Sequence, residues 1–248
     1  MIIKKQNTVL KNILIIDDEE KLRHLLARII KSEGFDVARE FNKIGVTAFV
    51  LKYRLPSDLV MVDKTIGPLQ DAQQAIYLVR THAAEWGINP NRVGIMGFSA
   101  GGHLASTVET HFNNVVIENK TFNVRPDFAI LMYPVISFGE FAHKGSRDNL
   151  VGVNASPALI DLYSNEKQVT ANTPPTFIVQ AADDNVVPIQ NSLLMYDALL
   201  KAKVSTEMHL FPAGGHGFGL NNKKSKAHWF DWCTSWLDTA GLLTAAAK

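Results

Sequence analysis

This 248-residue sequence has a single cysteine, almost no net charge and no long apolar run. The cysteine, Cys233, cannot form an internal disulfide, and its place among tryptophans near the carboxyl end predicts a packing role. A formal net charge of +1 gives no electrostatic basis for binding nucleic acid or an acidic membrane. No stretch could span a bilayer, and residues 1–7 lack the apolar region of a signal peptide, so we expect a cytoplasmic protein.

A sharp turn with a serine at its apex is predicted at Gly97-Phe98-Ser99-Ala100-Gly101. The turn follows an apolar run typical of a strand and precedes a run typical of a helix. Glycines two positions before and after the serine allow the strand and the helix to approach closely, as a nucleophile elbow requires. The alternative is an ordinary tight turn before a helix, and residues further along the chain discriminate between the two.

A carboxylate and a histidine follow in later loops. The strand predicted over 175–181 ends before Asp183 and Asp184, and the next predicted strand ends before His216 in a glycine-rich loop. A carboxylate beyond a strand end can orient a histidine, which then accepts the proton of the serine. The chain order serine, aspartate, histidine is that of the α/β-hydrolases. We therefore assign Ser99 as nucleophile, His216 as base and Asp184 as the orienting acid, with Asp183 as the alternative acid if Asp184 only caps a turn.

Predicted strands and helices alternate along the chain, which is typical of a doubly wound, mostly parallel α/β sheet. Residues 1–248 are interpreted as one domain, because 46% hydrophobic residues suffice for a single large core. Segment 137–173 has many turn-forming residues and no clear strand, which predicts a short cap or lid that lines the acyl or alcohol site. Beyond residue 40, the prediction places strands at 47–52, 93–96, 128–132, 176–180 and 207–211 and helices at 71–86, 100–111, 190–202 and 225–238.

Six segments share a pattern with a known family: 46–56 (VTAFVLKYRLP), 68–72 (PLQDA), 86–90 (WGINP), 97–105 (GFSAGGHLA), 184–188 (DNVVP) and 214–219 (GGHGFG). With them the chain resembles, over about residues 41–242, the acetyl-xylan and feruloyl esterase-like α/β-hydrolases. The resemblance implies hydrolysis of short-chain acetyl or feruloyl esters of carbohydrates through an acyl-enzyme. It implies a small-molecule or oligosaccharide ester as substrate, no cofactor or metal, and relatives that are often exported. Its motif positions fall on Ser99, Asp184 and His216, and the oligomeric state stays open.

The amino-terminal segment departs from that family. After an apolar strand it has Asp17, Asp18 and two glutamates, where such esterases have a glycine-rich loop that supplies N–H groups to the oxyanion hole. Residues 9–35 resemble instead the first strand and helix of a response-regulator receiver domain. Segment 1–35 is therefore interpreted as a receiver-like graft that truncates the esterase fold, with Gly34 as a predicted helix C-cap. The backbone N–H of Ala100 is the oxyanion donor that we predict, and hydrolysis is expected to be weaker than in intact relatives.

Three other interpretations stay open. An acidic loop that blocks the oxyanion site would leave a catalytically impaired protein that only binds. The body of the chain also resembles the catalytic domain of prolyl oligopeptidases, which suggests a peptidase. Asp63 follows Asp18 at a spacing close to that of a receiver's phosphoacceptor, although the predicted strand at 128–132 ends without the lysine that a receiver needs.

Overall fold

A six-stranded sheet forms the centre of the computed structural model, which describes residues 10–17, 27–118 and 123–243. The strands are β1 (Leu10–Asp17), β2 (Val46–Lys52), β3 (Ile88–Phe98), β4 (Phe128–Met132), β5 (Thr176–Ala181) and β6 (Thr206–Phe211). They lie in the order β2-β1-β3-β4-β5-β6, and all neighbouring pairs are parallel. The predicted fold class, a parallel α/β sheet of the α/β-hydrolase type, is confirmed.

The strand order changes direction between β1 and β3, because β2 lies on one side of β1 and the later strands lie on the other. In open parallel sheets such a switch point leaves a crevice at the carboxyl ends of the strands, where ligands bind. Ile16 of β1 pairs with Gly97 of β3, so the two strands end side by side. Ser99 follows β3 directly and therefore lies at this crevice.

Helices cover the sheet, and the described ones are α1 (Ala27–Lys43), α2 (Gly67–Thr81), α3 (Ala83–Trp86), α4 (Ser99–Thr110), α5 (Lys144–Val151), α6 (Pro157–Leu162), α7 (Gln190–Lys201) and α8 (Trp229–Thr239). Successive side chains of β4 enter two apolar clusters alternately: Leu131 packs in one, and Ile130 and Met132 pack in the other. Because strand side chains alternate between faces, the sheet has a core on each side. Cys233 is buried in the second core, which confirms its packing role. Among the helices of the described ranges, none combines the length and the apolar character that a membrane crossing requires.

Most predicted elements lie within a few residues of those observed, and the largest differences concern helix ends. α2 begins at Gly67 rather than at residue 71, because Pro68 is well suited to a first helical turn. The predicted helix 71–86 is two helices, which His82 separates. α8 begins at Trp229 rather than at residue 225, since the hydroxyl of Ser225 accepts a hydrogen bond from the N–H of Ala227 and forms a local turn instead.

The prediction of Gly34 as a helix C-cap is wrong, because α1 continues through it to Lys43. Val37 and Phe41 follow one turn apart, and both side chains are 0% exposed. Burying two such side chains contributes a few kcal/mol, about 1.5–3 each. A glycine inside a helix costs about 1 kcal/mol, so the burial decides the outcome. Gly45, with φ of 79°, follows the end of the helix instead.

Asp63 lies in a turn and not at the end of a strand, which argues against the phosphoacceptor interpretation. Its Oδ1 accepts hydrogen bonds from the backbone N–H and the hydroxyl of Thr65, at 2.9 and 2.6 Å. The neighbouring side chains of Leu59 and Val62 are exposed. A central strand of a parallel sheet buries such apolar side chains, so this segment has no such strand.

Segment 137–173, the predicted cap, contains α5, α6 and a 3₁₀ turn at Asn165–Gln168. Its apolar side chains form a third cluster, in which Leu150, Val151 and Tyr163 pack with Phe138. This cluster is separate from the two sheet cores. The segment therefore adds an apolar cluster beside the two sheet cores, and its action as a lid stays a prediction.

A buried carboxyl group lies between α4 and β5. Glu109 is 0% exposed, and its Oε2 is 3.0 Å from the hydroxyl oxygen of Thr176, which is 2.9 Å from the carbonyl oxygen of Pro174. Because a hydroxyl has only one proton to donate, both contacts are hydrogen bonds only when Glu109 is protonated and donates to Thr176. Burial accordingly raises the pKa of Glu109 to about 8, although the Thr176 hydroxyl and the charge of Arg125 oppose the shift.

We expect the stability of the protein to fall as the pH rises from about 4.5 to about 8, because the folded chain holds the Glu109 proton that the unfolded chain has released. The substitution Glu109→Gln keeps the shape of the neutral acid and removes the titration. The melting temperatures of the two proteins should agree at pH 4 and differ by several degrees at pH 8.5, with Glu109→Gln more stable. Calorimetry across this range measures the difference, and Glu118→Gln is the surface control. A constant difference between wild type and Glu109→Gln at all pH values would contradict a neutral Glu109.

Candidate active site

Ser99 stands at the turn between β3 and α4 with a left-handed backbone conformation, φ of 51°. This angle is strained for a residue that has a Cβ, and such strain is concentrated at functional sites. Two glycines make the turn possible. A Cβ at Gly97 would lie 2.1 Å from the carbonyl oxygen of Gly101, and one at Gly102 would lie 2.7 Å from the Cβ of Pro134. The hydroxyl consequently stands at the N-terminus of α4, where free N–H groups favour negative charge.

His216 contacts both of its predicted partners through its two ring nitrogens. Its Nε2 is 2.8 Å from Ser99 Oγ, and its Nδ1 is 2.8 Å from Asp184 Oδ2. The glycines on either side, Gly215 and Gly217, have φ of 64° and 73°, which a residue with a side chain rarely adopts. The structure thus brings together the three residues that the sequence predicted. They form a continuous hydrogen-bonded chain from the carboxylate to the hydroxyl.

Asp184 is fixed in the turn after β5. Its Oδ1 accepts hydrogen bonds from the backbone N–H groups of Val186 and Val187, both at 2.9 Å. Its Oδ2 faces His216 and the amide of Gln180, and its side chain is 0% exposed. Burial raises the pKa of Asp184, but the hydrogen bonds from His216 and from the two valine N–H groups outweigh burial and hold the pKa below its ordinary value. The carboxylate is therefore ionised and positioned to hold the Nδ1 proton of His216.

Asp183, the alternative acid, has a different position. Its Oδ1 accepts hydrogen bonds from the backbone N–H groups of Gly214 and Gly215, both at 2.8 Å. These two residues immediately precede His216. The adjacent acids thus act on the same histidine in two ways: Asp184 contacts the ring, and Asp183 holds the loop that carries it. The sequence indicated two acids after β5 and suggested that one of them caps a turn. It gave no sign that the capped turn is the loop that carries His216.

We expect Asp183→Ala to lower kcat for a short ester by about tenfold, because a displacement of well under 1 Å at a reacting group is enough for such a loss. Asp183→Asn should stay within about twofold of wild type, since its amide oxygen can accept the same two N–H groups. The measurement is kcat and KM for both variants, normalised to the fraction of reactive serine. Asp238→Ala, at an exposed position on α8, is the control. Equal losses in Asp183→Ala and Asp183→Asn would show that the negative charge and not the loop contact matters.

Ala100, the predicted oxyanion donor, is the second residue of α4 and lies beside the serine. Its N–H belongs to the first turn of the helix, where backbone donors have no partner within the helix. A second donor is expected from the chain that leaves β1, which ends at Asp17 next to β3. Residues 18–26, with Asp18 and most of the predicted acidic loop, lie outside the described residues.

A cavity of about 420 Å³ adjoins Ala100, with α4 on one side and the cap segment on the other. This volume falls within the range of small-molecule sites, about 300–1,000 Å³. The wall combines apolar side chains with hydroxyl and amide groups. The side chains that define it are Tyr53, Leu55, His103, Leu104, Thr107, Phe138, Ser146, Asn149, Leu150 and Tyr163. A ligand group larger than acetyl therefore has room beside Ala100, the residue that follows the candidate nucleophile.

Two histidines, one within α4 and one directly after it, attach the cap segment to this helix. His103 Nε2 is 2.9 Å from the carbonyl oxygen of Tyr163, and His111 Nε2 is 3.0 Å from that of Leu162. Burial lowers the pKa of His103 to about 4, so its ring is neutral and stacks on Phe138 at 4.3 Å. Within the described ranges no group of three or more His, Cys, Asp or Glu side chains is arranged to hold a metal ion. The contacts of His103 and His111 with the cap segment therefore account for the burial of both side chains.

A parallel α/β sheet with a strained serine after its third strand, and an aspartate and a histidine in later loops, defines the α/β-hydrolase class. A family model described as BD-FAE matches residues 30–199, which is more than half of the chain. The chain therefore belongs to the BD-FAE family.

Individual proteins agree with this assignment. The chain is 42% identical over 193 residues to an acetylxylan esterase of Xylanibacter ruminicola, a match that covers 76% of this chain and 38% of that protein. It is 38% identical over 201 residues to endo-1,4-beta-xylanase B of Butyrivibrio fibrisolvens, covering 79% of this chain and 31% of that protein. The chain thus spans about a third of the length of these curated relatives.

Solved structures extend the similarity over nearly the whole chain. An acetyl ester-xyloside bifunctional hydrolase from Caldicellulosiruptor lactoaceticus is 38% identical with a TM-score of 0.81, covering 96% of this chain and 86% of that one. The carboxylesterase Cest-2923 of Lactobacillus plantarum is 26% identical with a TM-score of 0.75, covering 96% and 89%. These proteins share the fold of this chain, and their names identify them as ester hydrolases.

Proposed function

We propose that this chain is a serine carboxylic-ester hydrolase that removes acyl groups from carbohydrates through an acyl-enzyme. The observation that carries the proposal is the hydrogen-bonded chain from Asp184 through His216 to Ser99, with both contacts to the imidazole at 2.8 Å. Nucleophile, base and orienting acid are the three groups that acyl transfer to and from a serine requires.

Each residue has a role in the proposed reaction. His216 Nε2 accepts the proton of Ser99 Oγ as the oxygen attacks the ester carbonyl, and the ionised Asp184 stabilises the resulting imidazolium. The N–H of Ala100 donates to the carbonyl oxygen as it becomes negative. His216 then returns its proton to the departing alcohol and activates water against the acyl-enzyme. None of these steps needs a cofactor.

The substrate class rests on the cavity and on the relatives. An acetylxylan esterase and an acetyl ester-xyloside hydrolase are among the similar proteins, which supports an acetylated carbohydrate as substrate. The cavity beside Ala100 has room for a sugar or a larger acyl group, and its hydroxyl and amide groups suit a ligand with hydroxyls of its own. Acetyl esters of oligosaccharides fit both observations, and feruloyl esters fit the size of the cavity.

A second candidate function is binding without turnover. It is favoured by the acidic run that begins at Asp17, the last residue of β1, where related esterases have a glycine-rich loop in the sequence. Carboxylates near the developing oxyanion would repel it, and loss of one donor costs about 3–4 kcal/mol of transition-state stabilisation. The acidic run is part of residues 9–35, which resemble a receiver domain and which we propose to be a graft within the single domain 1–248. If the acidic run weakens the oxyanion site without blocking it, the protein is an esterase that is slower than its relatives.

The test combines a label with an ester panel. The purified chain is treated with a fluorophosphonate, and peptide mass mapping locates the label. It is also assayed on p-nitrophenyl esters from acetyl to octanoyl, acetylated xylo-oligosaccharide and methyl ferulate. Labelling at Ser99 with turnover of acetyl esters is the expected result. Labelling without turnover of any ester would contradict the substrate class, and an unlabelled Ser99 in the folded protein would favour the binding function.

A further inference from the structure

Tyr133 has the second strained backbone near the site. It follows β4 directly, with φ of 36°, and its N–H donates to the carbonyl oxygen of Val179 at 2.7 Å. Positive φ is uncommon for a bulky residue and persists where the surroundings hold it in place. The side chain is 1% exposed, so the bend aims a large ring into the protein. The proposed steps of acyl transfer do not involve Tyr133, so they do not explain why this strained bend is there.

The Tyr133 ring lies between the serine turn and the histidine loop. Its centroid is 5.0 Å from that of His216, with 66° between the planes, and 4.8 Å from that of Phe218, with 72° between the planes. It also lies 6.0 Å from the ring of Phe98, the residue before Ser99. The contacts with His216 and Phe218 are edge-to-face, a favoured geometry of ring pairs, and the contact with Phe98 is tilted at 45°. One side chain therefore touches both halves of the site.

The hydroxyl of Tyr133 makes a separate contact with the same loop. Its oxygen accepts a hydrogen bond from the N–H of Gly219 at 3.3 Å. The carbonyl oxygen of Gly219 accepts one from the indole N–H of Trp229 at 2.9 Å. Gly219, three residues after His216, is thus held through both its N–H and its carbonyl oxygen, which anchors the loop downstream just as Asp183 anchors it upstream.

We propose that Tyr133 is a positioning residue for His216, and that its ring sets the tilt of the imidazole. The loop has positive φ at Gly215, Gly217 and Gly219, so its own backbone restrains the histidine weakly. The imidazole must keep two hydrogen bonds of 2.8 Å at the same time, one at each nitrogen. A ring packed edge-to-face against it excludes the rotations that would break either one. The importance of this tilt for turnover rests on the proposed function.

The kinetic test compares Tyr133→Leu, which removes the ring, with Tyr133→Phe, which removes only the hydroxyl. For p-nitrophenyl acetate, Tyr133→Leu should lower kcat by about 10- to 100-fold and leave KM within about twofold, because the misplaced base acts on the chemical step. Tyr133→Phe should recover most of kcat. Active-site titration with a fluorophosphonate normalises each value to folded protein. Phe112→Leu removes a buried ring far from the site and should leave normalised kcat unchanged.

A second measurement does not depend on turnover. The Nδ1 proton of His216 forms a charge-assisted hydrogen bond to the Asp184 carboxylate, which is 0% exposed, and should give a far-downfield proton NMR signal in the free protein. Tyr133→Phe should keep the signal, and Tyr133→Leu should broaden or lose it through exchange. If Tyr133→Leu does not fold, Phe218→Leu loosens the same ring contact from the other side and should weaken the signal in the same way. A normal signal together with a normal kcat in the ring-deleted variants would overturn the proposal. The two proposals can also be separated. If the signal depends on the Tyr133 ring but the protein hydrolyses no ester, the proposed function is wrong and the positioning role of Tyr133 stands.

Discussion

Replacing Ser99 with alanine is expected to reduce kcat/KM for acetyl esters by about 10⁴-fold or more, while the protein stays folded. Tenfold in rate corresponds to about 1.4 kcal/mol, so this loss removes at least about 5 kcal/mol of transition-state stabilisation. The reason is that His216 and Asp184 act only through the serine oxygen that forms the acyl bond. Without that oxygen, the N–H of Ala100 and the cavity can still bind the ester, but no covalent step remains.

The measurement is initial rates on p-nitrophenyl acetate, with thermal unfolding of the same preparations. Alanine keeps a Cβ at the left-handed position of Ser99, so the melting temperature should change little. Ser235→Ala, a serine exposed on α8, controls for the substitution itself and should leave kcat/KM unchanged. Turnover above a few per cent of wild type in Ser99→Ala, after removal of contaminating esterases, would exclude this serine as the nucleophile.

The sequence predicted those parts of the site that have a local pattern. The serine turn is visible because glycines must stand at fixed offsets from Ser99, and Asp184 and His216 are visible because each follows a predicted strand end. Parallel strands bring such ends to one edge of the sheet, so residues distant in sequence were expected to meet. The sequence favoured Asp184 over Asp183 as the orienting acid, but spacing alone left both open, because both follow β5 and only the fold decides which one faces the ring.

Features without a local pattern were missed or wrongly placed. Gly34 looks like a helix end, but the burial of Val37 and Phe41 beyond it carries α1 onward. Tyr133 has no motif, since its contacts join three separate places in the chain: the end of β3 at Phe98, the residue after β4, and the loop after β6 that carries His216. The cavity likewise is built from the loop after β2, from α4 and from the cap, and no single stretch of sequence contains it. Tertiary packing determines all three features.

The same packing makes Gly97 the position in the turn most sensitive to a single added carbon. A Cβ on Gly97 would lie 2.1 Å from the carbonyl oxygen of Gly101 and 2.8 Å from the N of Gly102, and both are backbone atoms of α4. A side chain could rotate away from such a clash, but the first turn of a helix cannot. Gly97→Ala must therefore separate β3 from α4. Ser99 lies between β3 and α4, so in the variant its hydroxyl should move away from the imidazole. In the wild-type protein the distance from Ser99 Oγ to His216 Nε2 is 2.8 Å.

We expect Gly97→Ala to lose about 100-fold or more in kcat, since a displacement of about 1 Å costs that much. Overpacking of this kind also destabilises by about 1–3 kcal/mol, so the variant should melt several degrees lower. Gly139→Ala is the matched control: its added Cβ meets only the hydroxyl of Ser137 at 3.4 Å, an ordinary contact. The decisive quantity is kcat per fluorophosphonate-reactive serine, because it separates misplacement from unfolding. If Gly97→Ala kept that quantity near the value of Gly139→Ala, the close approach of strand and helix would not be what aims the serine, and the physical account of the turn would be wrong.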